Sequence, residues 1–303
     1  MGGGGGGGAG NGGNAGGGLA AGLYLVATPI GNLEDISLRA LRVLRQAKLV
    51  AAEDTRRIRK LLNAHGITAR TVSYRERNRA KATPHLLAAI HGGAPVALVS
   101  DAGTPCLSDP GAELVRLCAE QGAAVFVVPG PSAAVGALAL SGFPAQRFSF
   151  LGFPPHRSAA RRKLFAEVRE RPEALVLFEA PHRMAATLDD LIAILGDRPA
   201  AAAREMTKLH EETLRGPLSE LRRRLLEREE IRGEFTLVIA GSAGQEPQEI
   251  GERELRRRYL EMLAAGAEPN EALRMLVAKS GINRRELYRL LRRHEGGRGR
   301  TDG

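Results

Sequence analysis

The sequence predicts an α/β protein: two α/β domains of short strands and helices, followed by a small helical module. Three observations carry that prediction. In the first half, five short apolar stretches are each separated by a helical pattern, the signature of parallel βαβ crossovers. After a break at Gly142-Phe143-Pro144, a second set of apolar stretches ends in adjacent extended segments that indicate a mixed sheet. Beyond a polar linker at 242–248 the pattern becomes wholly helical. The expected organisation is a Gly-rich tail at 1–22, α/β domains at 23–142 and 143–241, the linker, a helical module at 249–295 and a tail at 296–303.

Each element of the first domain has a local reason. Leu23–Ala27 reads as a strand followed by a breaker-rich turn, Thr28-Pro29-Ile30-Gly31-Asn32-Leu33-Glu34-Asp35. Ser37 then caps a helix with Leu38, Leu41 and Leu44 on one face. Lys48–Ala52 is a strand ending in Glu53-Asp54-Thr55-Arg56, and Ile58, Leu61 and Leu62 form the apolar face of the next helix, closed by Gly66. Thr71–Tyr74 is a strand, and Asn78–His91 reads as a helix interrupted near Pro84. Val96–Val99 is a buried strand that runs into Ser100-Asp101-Ala102-Gly103-Thr104-Pro105, after which Asp109 caps a helix starting at Pro110. Ala124–Val128, the turn Pro129-Gly130-Pro131-Ser132-Ala133 and a small-residue helix to Leu140 complete the domain.

In the second domain Phe148–Phe153 is a strand, and the segment with Pro154-Pro155-His156-Arg157 and Arg161-Arg162-Lys163 reads as basic and exposed. Ala174–Glu179 is a strand closed by Ala180-Pro181-His182-Arg183, with a helix to Leu195. Ala200–Glu205 and His210–Leu214 are extended, Leu218–Leu226 is a helix and Glu234–Ala240 is the final strand. The module carries helices at Glu252–Leu263, Pro269–Lys279 and Arg284–Arg293. The spacing from Ala272 to Tyr288 is helix, Gly turn, Arg-rich helix, as in a helix-turn-helix. A small bundle with a solvated basic face is the competing reading.

Composition narrows the function classes. The 303 residues suffice for two domains with substantial cores, and 43% are hydrophobic. The net charge of +10, from 44 Lys and Arg against 34 Asp and Glu, favours a polyanionic partner, with ordinary solubility as the alternative. Aromatic residues are only 4% and Trp is missing, which argues against a stacking platform as the main binding device. Two cysteines, Cys106 and Cys118, cannot form a metal set and fit a reducing compartment; Cys118, on the Leu114–Leu117 side of its helix, reads as core. Met1–Gly22 lacks the charged and apolar parts of a signal peptide, and no apolar run reaches transmembrane length. The expectation is a cytoplasmic protein with no membrane partner. There is no phosphate-binding P-loop, no HExxH and no Cys/His cluster, so no metal site is expected.

Taken together, the strand-end turns resemble one family. They are Thr28–Asp35, Glu53–Arg56, Ser100–Pro105 with Ser108-Asp109-Pro110-Gly111, Pro129–Ala133, Phe178–Arg183, Arg204-Glu205-Met206-Thr207-Lys208 with Glu211-Glu212, and Arg232-Gly233-Glu234-Phe235. The ordered set resembles the ribosomal RNA small-subunit methyltransferase I family, a branch of the tetrapyrrole methylase-like enzymes, over about Leu23–Gly241. The C-terminal helices are similar to that family's appended module. The resemblance implies S-adenosyl-L-methionine bound in a cleft between the two domains, a homodimer, and 2′-O-methylation of a cytidine ribose in the decoding region of 16S ribosomal RNA or the small ribosomal subunit.

The same resemblance implies that Pro29, Gly31, Asp101, Ala102, Gly103, Pro105, Pro131, Ser132, Phe178, Glu179 and Ala180 face the cofactor. The substrate side would be formed by Lys208, Glu205, Glu211 and Arg183. Lys208 would hold a phosphate or lower the pKa of the hydroxyl, and a carboxylate would take the proton. Exposed salt bridges are the competing explanation for each. Arg157, Arg161, Arg162, Lys163, Arg284, Arg285 and Arg289 are candidate phosphate contacts. Two other functions stay open at this point: C-methylation of a tetrapyrrole on the same fold, and noncatalytic nucleic-acid binding through the C-terminal helices.

Overall fold

A computed structural model describes residues 18–107, 111–242, 252–280 and 284–292. They form two compact units, one holding both sheets and running to Ala240, the other built from the C-terminal helices. The tails, the 243–248 part of the linker, the Asp109-Pro110 cap and the Gly281 turn lie outside the described residues.

The first sheet contains β1 (Gly22–Val26), β2 (Leu49–Ala52), β3 (Thr71–Ser73), β4 (Pro95–Val99) and β5 (Val125–Val128), in the order β3-β2-β4-β1-β5. Every pairing is parallel. Parallel strands need crossovers, and these are supplied by α1 (Leu38–Gln46), α2 (Thr55–Ala64), α3 (Arg79–His91) and α4 (Gly111–Glu120). Helices on both faces bury the sheet on both sides: β2 is buried throughout, and separate apolar clusters gather Val43, Leu44 and Ile58 on one side and Leu86, Leu114 and Cys118 on the other. Burial pushes the Cys118 thiol up in pKa, as befits an inert core group.

The second sheet has the order β6-β7-β10-β8-β9, from β6 (Phe148–Gly152), β7 (Ala174–Glu179), β8 (Pro199–Arg204), β9 (Glu212–Pro217) and β10 (Phe235–Ile239). It is mixed, as the adjacent extended segments predicted: β6 and β7 are parallel and the other neighbours antiparallel. One face carries α6 (Ser158–Glu167), α7 (Met184–Leu195) and α8 (Leu218–Leu226) over a core with Phe165, Leu188 and Leu221. On the other face lies α5 (Ala133–Ser141), the small-residue helix, whose Ala134, Ala137 and Leu138 pack on Val176, Ala203 and Val238. Small side chains let the helix sit close to the alanine-rich β8, and Arg215 Nε holds the Leu140 carbonyl at 3.2 Å. The other unit is α9 (Glu252–Ala264), α10 (Pro269–Ser280) and α11 (Arg284–Arg292), closed around Leu255, Leu273, Leu276 and Leu287.

Three local expectations are corrected. The helix at 79–91 is not interrupted: α3 runs through Pro84, because proline's fixed φ suits a helix and only one hydrogen bond near the N-terminal end is forfeited. The buried face of α1 is Ala40, Val43 and Leu44 rather than one led by Leu38, which is 86% exposed; the i, i+3, i+4 spacing of the former set wins. Ser37 does cap this helix, accepting the Ala40 N–H at 3.1 Å. The basic segment after β6 is not uniformly exposed. It forms α6, whose Arg161 is 4% exposed and paired with the equally buried Asp190 of α7 (Arg161 Nη2 to Asp190 Oδ2, 2.6 Å). Arg161 is therefore withdrawn as a phosphate contact.

Candidate active site at the facing sheet edges

Topology gathers the strand-end turns. In the first sheet every strand ends at the same edge because all five are parallel, so the turns after Val26, Ala52, Val99 and Val128 are neighbours. In the second sheet, β10 runs against β7 and β8, and its first residue, Phe235, pairs with both Glu179 and Arg204. The end of β7, the end of β8 and the start of β10 thus share one edge. Segments far apart in sequence (Phe178–Ala180, Arg204–Lys208 and Gly233-Glu234) meet there.

The first-sheet edge is stitched mainly by backbone. Thr28 and Gly103 exchange both N–H to carbonyl bonds, at 2.9 and 3.0 Å. The Ser100 hydroxyl donates to the Gly103 carbonyl at 3.0 Å, and the Thr104 hydroxyl donates to the Pro131 carbonyl at 3.3 Å. Gly103 has φ +77°, a left-handed conformation that costs glycine nothing and sets the sharp turn after β4. Asp101 has a structural duty: its Oδ1 accepts the Asp54 N–H at 2.8 Å and its Oδ2 lies 3.6 Å from Arg57. Asp54 in turn caps α2, and hydrogen bonds from Arg56 hold its carboxyl well below the usual carboxylate range. Pro29, Pro131 and Ser132 are half-buried in this edge, Pro105 is buried and Ala102 is exposed.

Two groups form on the second-sheet edge. In the first, Glu179 is buried and fully engaged: it accepts the Ala180 N–H at 2.8 Å and the Thr187 hydroxyl at 2.5 Å, with Arg183 Nε at 3.3 Å. Arg183 also donates to the Pro154 and Pro155 carbonyls, at 2.6 and 3.1 Å, which places its guanidinium inward as a brace between turns. Phe178, the residue before Glu179, packs against Phe150 and the exposed Phe153, with centroids 5.0 and 5.4 Å away.

The second group centres on Lys208. Its Nζ lies 2.8 Å from Glu205 Oε1 and 2.9 Å from Glu234 Oε2, while Glu205 Oε1 also accepts the Glu234 N–H at 2.9 Å. Burial alone would lower the Lys208 pKa, but the two carboxylates outweigh it and raise the net value, so the ammonium is retained at neutral pH. Burial would likewise raise Glu205, but hydrogen bonds from Lys208 and the Glu234 backbone win and lower it. Gly233, at φ +95°, leaves the room that Glu205 occupies: a Cβ there would stand 2.6 Å from Glu205 Cγ. Glu211 accepts the Thr207 N–H at 2.9 Å and closes the turn.

Sequence reasoning picked Glu205, Lys208 and Glu211, and they do come together; Arg183 makes its polar contacts with the other group. Glu234 was missed as a site residue. The signal was its place in Arg232-Gly233-Glu234-Phe235, but only the antiparallel pairing of β10 brings it within reach of Lys208. The two sheet edges touch at Gly31. A Cβ on Gly31 would lie 2.5 Å from Lys208 Cγ and 2.7 Å from both the Met206 carbonyl and Thr207 Oγ1. Ile30 joins Met206 in the apolar cluster beneath. Among the described residues no cluster of His, Cys, Asp and Glu could hold a metal ion, and no helix is long and apolar enough to cross a membrane.

Comparison with known proteins agrees with this architecture. The family model for Tetrapyrrole (Corrin/Porphyrin) Methylases matches residues 22–222. The chain is 42% identical over 271 residues to ribosomal RNA small subunit methyltransferase I of Halalkalibacterium halodurans, covering 88% of this chain and 93% of the relative. It is 47% identical to the protein of that name from Thermotoga maritima, covering 72% and 98%. Among solved structures, uroporphyrin-III-C-methyltransferase from Thermus thermophilus aligns at 25% identity and a TM-score of 0.53, covering 72% of this chain and 93% of that one. A cobalt precorrin-4 methyltransferase, at 16% identity and a TM-score of 0.55, shares the fold. With the match covering the whole first sheet and four of the five strands of the second, and relatives this similar along most of its length, the chain belongs to the ribosomal RNA small subunit methyltransferase I family, on the tetrapyrrole methylase fold.

Proposed function

We propose that this methyltransferase uses S-adenosyl-L-methionine to methylate the 2′-hydroxyl of a cytidine ribose in the decoding region of 16S ribosomal RNA. The observation that carries the site assignment is the meeting of the sheet edges at Gly31, which sets a backbone-lined wall beside a lysine held between two carboxylates. The residues fit the cofactor. Small residues at Ala102, Gly103 and Ser132 leave main-chain groups within reach of an amino-acid moiety and a ribose, and half-buried Phe178 offers an apolar face to an adenine. Pro29, Gly31, Asp101, Pro105, Pro131, Glu179 and Ala180 shape or brace that wall. When bound, S-adenosyl-L-methionine supplies a methyl group already activated by its sulfonium.

The chain's own task is then positioning and proton handling. Lys208, kept protonated, presents a fixed positive charge beside the acceptor, where it orients a phosphate or favours the ionised hydroxyl. A carboxylate of the Glu205–Glu234 pair takes the proton, and Glu211 fixes the turn that carries Glu205 and Lys208. Arg183 acts at one remove, through Glu179 and the Pro154 turn. Basic residues outside the core, including Arg157, Arg162, Lys163, Arg285 and Arg289, are proposed to neutralise RNA phosphates. The active species is proposed to be a cytoplasmic homodimer; Val127, on the edge strand β5 and 57% exposed, offers apolar surface for the contact. Labelled S-adenosyl-L-methionine offered to unmodified small subunits and, separately, to a tetrapyrrole tests the reading. Label in the RNA is expected. Label only in the tetrapyrrole would replace it with C-methylation, and cofactor-independent RNA binding would point to a regulator.

A further inference from the structure

One group at the meeting of the sheet edges lacks an assigned role. The Thr207 hydroxyl is buried and finds no hydrogen-bond partner among the described residues. A buried hydroxyl in that state is costly, and native proteins keep few of them. The backbone beneath it is also strained: Thr207 has φ +65° and Glu205 has φ +48°, in a region that non-glycine and especially β-branched residues avoid. The strain is held from several sides. Glu211 grips the Thr207 N–H at 2.9 Å, and Lys208 is clamped to Glu205. The result aims an unpartnered hydroxyl at Gly31, the one residue of the facing turn with no side chain to block it.

Resting on the reading of the chain as a ribose methyltransferase, we propose that Thr207 contacts the substrate, its hydroxyl forming a hydrogen bond with the acceptor ribose hydroxyl beside Lys208. Because the Gly31 backbone covers Thr207, engagement requires the Pro29–Asn32 turn to shift. Glycine at 31 makes that shift a matter of backbone alone.

The test uses the full chain, small ribosomal subunits lacking the modification, and two variants. Thr207→Val keeps the branched shape and removes the hydroxyl; Thr207→Ser keeps the hydroxyl. For Thr207→Val the expected result is a methylation rate at saturating cofactor lowered about tenfold or more. S-adenosyl-L-methionine affinity should be unchanged by calorimetry, and the melting temperature unchanged or raised because an unpaired buried group has gone. Thr207→Ser should restore most of the rate. A Thr207→Val rate equal to wild type would overturn the proposal. So would a loss that tracks weaker cofactor binding, which would make Thr207 a cofactor ligand, or a lowered melting temperature with no recovery in Thr207→Ser, which would make it a structural residue. If the wild-type chain itself transfers no methyl to ribose, the broader reading falls with it; if wild type is active and Thr207→Val is indifferent, only this inference falls.

Discussion

Replacing Arg161 by methionine separates a structural arginine from an RNA-binding one. The guanidinium is buried on α6, with Asp190 Oδ2 2.8 Å from Nε and 2.6 Å from Nη2, and it also donates to the carbonyls of His156 and Ala186 at 3.3 Å each. Removing one partner of a buried pair costs about 3–5 kcal/mol, because the other charge stays behind in a low-dielectric site. The cost here belongs at the low end, since Asp190 keeps the Ser158 hydroxyl at 2.9–3.0 Å and half-exposed Arg162 at 3.1 Å. About 3 kcal/mol in a unit of this size lowers the melting temperature by roughly 6–12 °C. Arg161→Met with Asp190→Leu should be less destabilised than either single change, giving a coupling of about 2 kcal/mol or more in a double-mutant cycle of thermal or urea unfolding. RNA affinity and its salt dependence should not move. An Arg161→Met protein that melts like wild type but binds RNA with a shallower salt slope would refute the assignment and return Arg161 to the phosphate contacts.

Further outcomes follow from the same geometry. Gly233→Ala sets a Cβ 2.6 Å from Glu205 Cγ at φ +95°; it should cost about 1–2 kcal/mol by chemical unfolding and slow methyl transfer by displacing Glu205. Glu205 has a lowered pKa, so its contribution to stability is present above the ordinary carboxylate range and lost as pH falls through the folded value. Lys208 has a raised pKa, so its contribution is present below the ordinary lysine range and lost as pH rises through the folded value. Stability from this pair should therefore be flat across neutral pH, and Lys208→Met should move the Glu205 titration, followed by NMR, upward while lowering turnover. Size-exclusion chromatography with light scattering should give a dimer, and Val127→Glu on the β5 edge should shift it toward monomer.

Much of the fold was legible because strand and helix periodicities dominate short segments. Ala174–Glu179 and Leu218–Leu226 coincide with β7 and α8 to the residue. What was missed depended on partners distant in sequence. The Arg-rich run at 161–163 looks solvated until Asp190, 29 residues away, supplies the counter-charge that lets Arg161 turn inward. The small helix after Pro131 reads as the closing helix of the first domain, yet it packs on the second sheet, because alanines of β8 leave room that periodicity does not reveal. The candidate site divides in the same way. Glu205, Lys208 and Glu211 lie within one turn and could be grouped from sequence. Glu234 joins them only through the β10 register, and the backbone strain at Thr207 is a property of φ that no residue name announces.

The central claim is that the facing edges position a ribose hydroxyl for methyl transfer. It is tested most directly by nucleoside mapping of 16S ribosomal RNA after incubating the protein and labelled S-adenosyl-L-methionine with small subunits that lack the modification. The account predicts label in one 2′-O-methylcytidine of the decoding region, lost when Lys208 is replaced by methionine. Label on a base, at a ribose elsewhere in the RNA, or undiminished in the Lys208→Met protein would contradict it.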